Sequence, residues 1–246
     1  MAKVIYKPKG LAGEYARWAL NLYNNCSNGC DYCYAHKIMR VSKEVFKNNP
    51  VVRKDILEKL GEQLANERGD FSNISDDESR VLMCFTCDPY QGDKEFNHIT
   101  TEAIELLNAA DRAFNILTKN GMRARRDFHL YSTCDHFGTT LTFDNDDDTL
   151  LHEPGADMPR GRMAAMREAH DIGIYTWVSL EPVIDPEQSL RLIRETLDYV
   201  DMYKIGKVNY QTSAVDWRKF VRDVEAIFVD CPEKFVLKSS LLKFKE

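Results

Sequence analysis

The run Asn24-Asn25-Cys26-Ser27-Asn28-Gly29-Cys30-Asp31-Tyr32-Cys33-Tyr34 places three cysteines within eight residues, spaced C-x3-C-x2-C. Gly29 permits a tight turn, so the thiols can converge on one centre. Soft thiolates at this spacing suit an iron–sulfur cluster or zinc. Three ligands rather than four is the informative part. A structural zinc site takes four protein ligands, and an open position marks a reactive site. A 4Fe–4S cluster held by three cysteines leaves one iron free to bind a substrate or cofactor. The chain has seven cysteines in all, an odd number that does not make a simple disulfide framework.

Outward from this run, apolar β-branched segments alternate with helical patterns. Strands are predicted at Trp18–Tyr23, Val81–Thr86, Phe114–Leu117, Thr139–Phe143, Ile174–Ser179 and Met202–Ile205, with a weaker one at Phe235–Leu237. Helices are predicted over Lys54–Glu67, Thr100–Asp111, Arg160–Asp171, Gln188–Tyr199 and Trp217–Phe228. Ile56, Leu60 and Leu64 fall on one helical face, as do Ile104, Leu107 and Ala110. Strands separated by helices of this length imply βαβ units and a parallel sheet, closed as a barrel, partly closed, or open and doubly wound. Asp144–Asp148 reads as a solvated acidic loop, without the glycine and distal glutamate of an EF-hand. Lys43–Pro50 reads as an exposed loop or a break between helices. The six histidines show no metal spacing.

The 246 residues, 43% hydrophobic and 29% charged, have ordinary globular composition and fit one domain over residues 1–246. A net charge of -6 argues against a generic polyanion binder. The opening MAKVIYKPKG lacks the apolar core of a leader. The apolar stretch Ile172–Leu180 is too short for a bilayer. A cytoplasmic chain without membrane contact is expected, and there clustered cysteines serve metals or redox chemistry.

With Tyr32 directly before the last cysteine, the motif resembles the signature of radical S-adenosylmethionine enzymes. Later segments resemble the spore photoproduct lyase-like branch. They are Thr86-Cys87-Asp88-Pro89-Tyr90-Gln91 followed by Glu95, then Ile116-Leu117-Thr118-Lys119-Asn120, Arg126-Asp127, and Glu153-Pro154 followed by Arg160–Gly173. The resemblance runs in order from about Trp18 to Tyr210. It implies an α/β fold, a partial (β/α)6 TIM-type barrel with the cysteine loop at the C-terminal mouth. It implies two cofactors, a 4Fe–4S cluster and S-adenosyl-L-methionine. One electron from the cluster cleaves the sulfonium to methionine and a 5′-deoxyadenosyl radical. It also implies an electron donor of flavodoxin or ferredoxin type. The substrate stays open, with a nucleic acid or nucleotide as the candidate class, and so does the oligomeric state.

The resemblance makes Cys26, Cys30 and Cys33 the cluster ligands, with Tyr32 packed on the cluster edge. It gives cofactor contacts to Lys119, Asp88 and Thr140. Lys119 reads equally as a snorkelling lysine, and Asp88-Pro89 equally as a helix N-cap. Glu181, at the same mouth, is a candidate for substrate or ribose hydroxyls, or for a structural ion pair with Lys204. Lys204 and Lys207 are candidate substrate-side charges. Photoproduct lyases use a strand-two cysteine as hydrogen-atom donor, and Phe85 stands at that position here, which weakens the case for thymine-dimer repair. By strand alternation Cys87 shares the face of Phe85 while Cys84 points away. Cys87 is therefore the candidate reactive thiol and Cys84 a packing residue. Arg123, Arg125 and Arg126 with Lys119 form the densest basic patch, suited to phosphates or to a solvated helix start. The competing reading is a non-catalytic zinc module for nucleic-acid or protein binding, built from Cys26, Cys30, Cys33 and either Cys84 or Cys87.

Overall fold

The computed structural model describes residues 3–48, 50–67, 79–92, 97–208 and 214–245. Glu95 and Tyr210, two positions of the resemblance, lie outside them. The central sheet has eight strands in the order β1-β2-β5-β6-β7-β8-β9-β10. These are β1 (Ile5–Tyr6), β2 (Trp18–Leu20), β5 (Val81–Met83), β6 (Phe114–Thr118), β7 (His136–Thr140), β8 (Tyr175–Val183), β9 (Met202–Lys207) and β10 (Phe235–Leu237). From β2 to β10 every pairing is parallel, so the C-terminal ends of these strands share one mouth. This is the α/β arrangement of a partial TIM-type barrel.

The antiparallel edge strand β1 is too short for a periodicity signal. Gln63 holds it: its Oε1 accepts from the backbone N–H of Val4 at 2.7 Å and of Ile5 at 2.9 Å. The sheet's inner strands are apolar on both faces, as parallel strands under helices must be. Ile56, Leu60 and Leu64 are buried as their spacing predicts. One contiguous buried cluster runs from Ile5 to Leu241.

Several elements differ from expectation for local reasons. The first predicted strand stops at Leu20, and β3 (Tyr23–Asn24) pairs with β4 (Val51–Val52) in a separate two-stranded sheet. Strand β5 ends at Met83, releasing Cys84–Asp88 into the mouth. Strand β7 begins three residues before the predicted start at Thr139, because Gly138 belongs to it. A Cβ there would lie 2.3 Å from the Trp177 indole, so only glycine admits that ring. Lys43–Asn48 is a helix, not a loop. The acidic run is also helical, over Asp146–His152. Asn145 caps it by accepting from Asp148 N–H at 2.9 Å, and its three aspartates sit in the first turn, where the helix dipole favours negative charge.

Candidate active site

At the mouth lies a cavity of about 190 Å³. Cys26, Cys30 and Cys33 line it together with residues at the ends of β5 to β8. The cysteine loop is fixed from three directions. Cys26 N–H donates to the carbonyl of Phe46 at 3.0 Å, on the outer side. Ser27 N–H and hydroxyl both donate to Gln91 Oε1, at 2.9 and 2.8 Å. Asn28 Nδ2 donates to Asp88 at 2.9 Å, and its Oδ1 accepts from Asn120 Nδ2 at 2.9 Å.

The third direction is the segment after the Asp146–His152 helix. Asp31 N–H donates to the His152 carbonyl at 2.9 Å, and Gly155 N–H donates to the Asn28 carbonyl at 2.9 Å. A Cβ at Gly155 would stand 2.2 Å from the Ser27 carbonyl oxygen, so the two backbones meet without room for a side chain. Gly29 takes φ of +66°, the left-handed turn read from the sequence.

Beneath the loop sits a buried charged group. The fully buried carboxylate of Glu153 meets Arg162 Nη2 at 2.5 Å and Lys119 Nζ at 3.3 Å, and accepts a hydrogen bond from the Tyr32 hydroxyl. Burial alone would raise its pKa. The charges of Lys119 and Arg162 more than reverse this and hold it at about 2. Lys119 also lies over the Tyr32 ring, 5.6 Å from the centroid. Arg162 is fully buried and spends its other donors on the carbonyls of Asp157 and Thr140, at 2.7 and 2.9 Å.

Asp88 occupies the strand end as expected, and its carboxylate accepts from four donors: Asn28 Nδ2, Tyr90 N–H, Thr118 Oγ1 and Lys119 N–H. It thereby ties the cysteine loop to β6. It opens no helix among the described residues 88–92. Thr140 lines the cavity from β7.

Across the cavity, Glu181 accepts from the Tyr15 hydroxyl and pairs with Lys238 at 2.6 Å. The Glu181–Lys204 pair considered from sequence gives way to Lys238, which arrives from the end of β10. Lys204 instead donates to the Tyr15 carbonyl at 2.8 Å and lies 4.9 Å from the Trp177 ring centroid. Its pKa is lowered to about 8 by burial and by the neighbouring Lys238 charge. Lys207 lies away from this group, over the Trp217 ring at 5.9 Å.

Both Cys84 and Cys87 line the cavity, with Phe85 and Thr86 between them. The alternation expected to separate the two thiols does not apply, because β5 has already ended. The Cys84 sulfur accepts from Leu22 N–H at 3.5 Å and also meets the Cys87 thiol. Burial pushes the Cys87 thiol pKa well up. The basic patch is dispersed: Lys119 faces Glu153, Arg125 pairs with Glu168, and Arg126 with Asp127 at 3.7 Å.

The donor set fits an iron–sulfur cluster. Burial raises the thiol pKa of Cys26 and Cys33 and pushes Cys30 up to about 12 against the opposing Lys119 charge. Loading with metal would therefore release protons. Among the described residues no three Cys, His, Asp or Glu side chains converge as ligands of a single ion. Cys26, Cys30 and Cys33 all border the one cavity. The buried hydroxyl of Thr86, also in the cavity wall, has no protein partner among the described residues. It is free to donate to a polar group or water in the cavity.

Comparison with known proteins agrees with this fold. No family profile matches the chain. An uncharacterized protein of Methanocaldococcus jannaschii is 24% identical over 248 residues, covering 99% of this chain and 87% of that one. Spore photoproduct lyase complexed with dinucleoside spore photoproduct superposes with a TM-score of 0.65 at 18% identity, over 92% of this chain and 64% of the lyase. Streptococcus suis SuiB bound to S-adenosylmethionine gives 0.60 at 9% identity, over 90% and 47%. A radical SAM methyltransferase from Sphaerobacter thermophilus gives 0.59 at 15% identity, over 89% and 65%. This chain thus spans less than two thirds of each of these three solved proteins. Its fold is the one these solved proteins share, spore photoproduct lyase among them. Among the described residues no helix is long and apolar enough to cross a membrane.

Proposed function

We propose that this chain is a radical S-adenosylmethionine enzyme in which Cys26, Cys30 and Cys33 hold a 4Fe–4S cluster. The observation that carries this reading is the one loop that brings three cysteines to the mouth cavity while Asn28 and Tyr32 tie it to Asp88 and Glu153. When bound, the cluster and S-adenosylmethionine supply the reductive cleavage that gives a 5′-deoxyadenosyl radical. The protein positions and shields. Tyr32, tied to Glu153, fixes the loop's trajectory past the cavity. Thr86 offers its hydroxyl to the cofactor or substrate, while Thr140 and Lys119 wall the cofactor side. Glu181 and Ser179, both in the cavity wall, present hydrogen-bonding groups opposite. They suit the hydroxyls and base edges of a nucleoside-type substrate better than its phosphates, because Glu181 is itself anionic. The neighbour with a bound dinucleoside supports this substrate class. Cys87 is the candidate hydrogen-atom donor. The four-cysteine zinc module is less well supported, since the thiols do not gather about one point.

Anaerobic reconstitution with iron and sulfide tests the proposal. The expected product is a brown protein that releases 5′-deoxyadenosine only with dithionite, both properties vanishing in Cys30→Ala. A colourless protein with one tightly held zinc and no cofactor cleavage would sink it. Deuterium passing from candidate DNA, RNA or nucleotide pools into 5′-deoxyadenosine identifies the substrate class.

A further inference from the structure

Cys84-Phe85-Thr86-Cys87 is a second C-x2-C sequence, set apart from the cysteine loop just past the end of β5. Both cysteines border the mouth cavity, and their thiols hydrogen-bond to each other. Three consecutive residues, on the segment that leads into the cysteine loop, grip these four. The Oδ1 of buried Asn21 accepts from Phe85 N–H at 2.7 Å and from Thr86 N–H at 2.8 Å. Leu22 N–H donates to the Cys84 sulfur at 3.5 Å. The Tyr23 backbone donates to the Cys87 sulfur. Asn21 is itself fixed, its Nδ2 donating to the Tyr6 hydroxyl at 2.6 Å. These contacts fix the bend that brings the two sulfurs together.

The two thiols differ in access. Cys84 is 4% exposed and belongs to the apolar core, whereas Cys87 is half-buried. Arg53, whose Nε donates to the Tyr23 carbonyl at 3.1 Å, brings a positive charge that favours the Cys87 thiolate. Burial outweighs that charge and raises the Cys87 pKa, so exchange at this thiol is slow at neutral pH. Among the described residues no third Cys, His, Asp or Glu joins the pair as a metal ligand. An accessible thiol in contact with a buried one is the arrangement of an attacking and a resolving cysteine.

We propose that Cys84 and Cys87 are a redox-active dithiol that closes to a disulfide beside the cavity. The oxidant is a small organic disulfide, R–S–S–R. The Cys87 thiolate attacks one of its sulfurs, forming a mixed disulfide and releasing one thiolate. Cys84 then attacks the Cys87 sulfur and releases the second. The two protons lost by the protein thiols go to the two leaving thiolates. One S–S bond breaks and another forms, and the protein pair loses the two electrons that the small disulfide gains. The meaning of this step for turnover rests on the radical reading above. Closure removes the Cys87 S–H, the candidate hydrogen-atom donor, and spares Cys26, Cys30 and Cys33.

The test incubates the anaerobically reconstituted protein with 2-hydroxyethyl disulfide. Free thiols are then blocked with N-ethylmaleimide in denaturant, and the tryptic peptide 81–94, which holds no other cysteine, is weighed. The expected peptide is two hydrogens lighter than its reduced form and takes no maleimide until dithiothreitol restores both thiols. Cys84→Ser should stop at a 2-mercaptoethanol adduct on Cys87. Cys87→Ser should leave Cys84 reacting at least about tenfold more slowly than Cys87 does. A wild-type peptide that keeps both thiols free, or that holds an adduct without closing, would overturn the proposal. So would a disulfide from Cys87 to Cys26, Cys30 or Cys33. These outcomes are read on the wild-type chain, so a misfolded variant does not blunt them. The two readings fail separately. A protein that forms the disulfide but releases no 5′-deoxyadenosine with dithionite refutes the radical reading, whereas cleavage without the disulfide refutes only the redox pair.

Discussion

Two glutamates near the mouth each accept from a tyrosine hydroxyl and pair with a basic group, two in the case of Glu153. Glu153 is fully buried among Tyr32, Lys119 and Arg162, under the cysteine loop. Glu181 lies in the cavity wall with Tyr15 and Lys238. The first spends all its charge on protein groups and has no open side. The second keeps an edge on the cavity, its side chain 11% exposed. Similar chemistry thus sits in two settings, and exposure separates them: the closed group holds the loop and the open one keeps an edge on the cavity.

The largest expected effect breaks the closed group. Glu153→Gln leaves Arg162 and Lys119 without their carboxylate, a loss of about 3–5 kcal/mol when one partner of a buried pair goes. Urea titration of the protein without metal reads it directly. Glu181→Gln, at the open edge, should cost much less stability and act on substrate-dependent turnover; equal losses would erase the distinction. The same pair sets an acid limb. Because the Glu153 pKa is about 2 in the folded chain against an ordinary 4.5, its stabilisation is complete above pH 4.5. It drains away as pH falls towards 2, and Glu153→Gln should lack that portion of the slope.

Next come matched glycine substitutions on the two walls. Gly155→Ala drives a methyl against the Ser27 backbone, which cannot rotate aside, and should cost about 1–3 kcal/mol together with bound iron. A Cβ at Gly206 would approach the carboxyl group of Glu181 and the Lys238 stem at 3.0 and 3.1 Å. Those are side-chain ends that can give, so Gly206→Ala should keep its iron. Iron and sulfide assays on both proteins make the comparison. If Gly206→Ala loses the metal and Gly155→Ala does not, the loop is anchored from the wrong side.

The smallest effect sharpens the open group. Lys204, lowered to about 8 by burial and Lys238, binds its proton more weakly folded than unfolded. Wild-type stability should therefore gain slightly as pH rises from about 8 towards the ordinary lysine range. Lys204→Met should show a flatter profile over that window.

What could be read from the sequence was what lies close along the chain. The cysteine motif is complete within eight residues. The strand–helix alternation fixed a parallel sheet, and the regular spacing of Ile56, Leu60 and Leu64 marked a buried face. What escaped depends on distant partners or on where a strand stops. Glu153 stands in a recognised segment and Gly155 just beyond its first pair, but nothing nearby says that this stretch supports a loop 121 positions before Glu153. Lys238 lies 57 residues beyond Glu181, too far for pattern to pair them. Cys84 is buried in the apolar core, as its packing reading expects, but it also reaches the cavity, because β5 ends at Met83. The Asp146–His152 helix was hidden because its first turn is three aspartates, and only Asn145 as a cap makes sense of them.

The distance between the loop and its support has a consequence for the order of assembly. When Cys33 leaves the ribosome, the chain has every thiol of its motif but not yet His152, Glu153 or Gly155, which hold the loop in shape. Contacts of such sequence separation form late. A nascent chain shorter than this has the ligands without the mould. On the proposed cluster reading, metal loading therefore belongs to the finished barrel, and a truncated chain would expose loose thiols to oxidation.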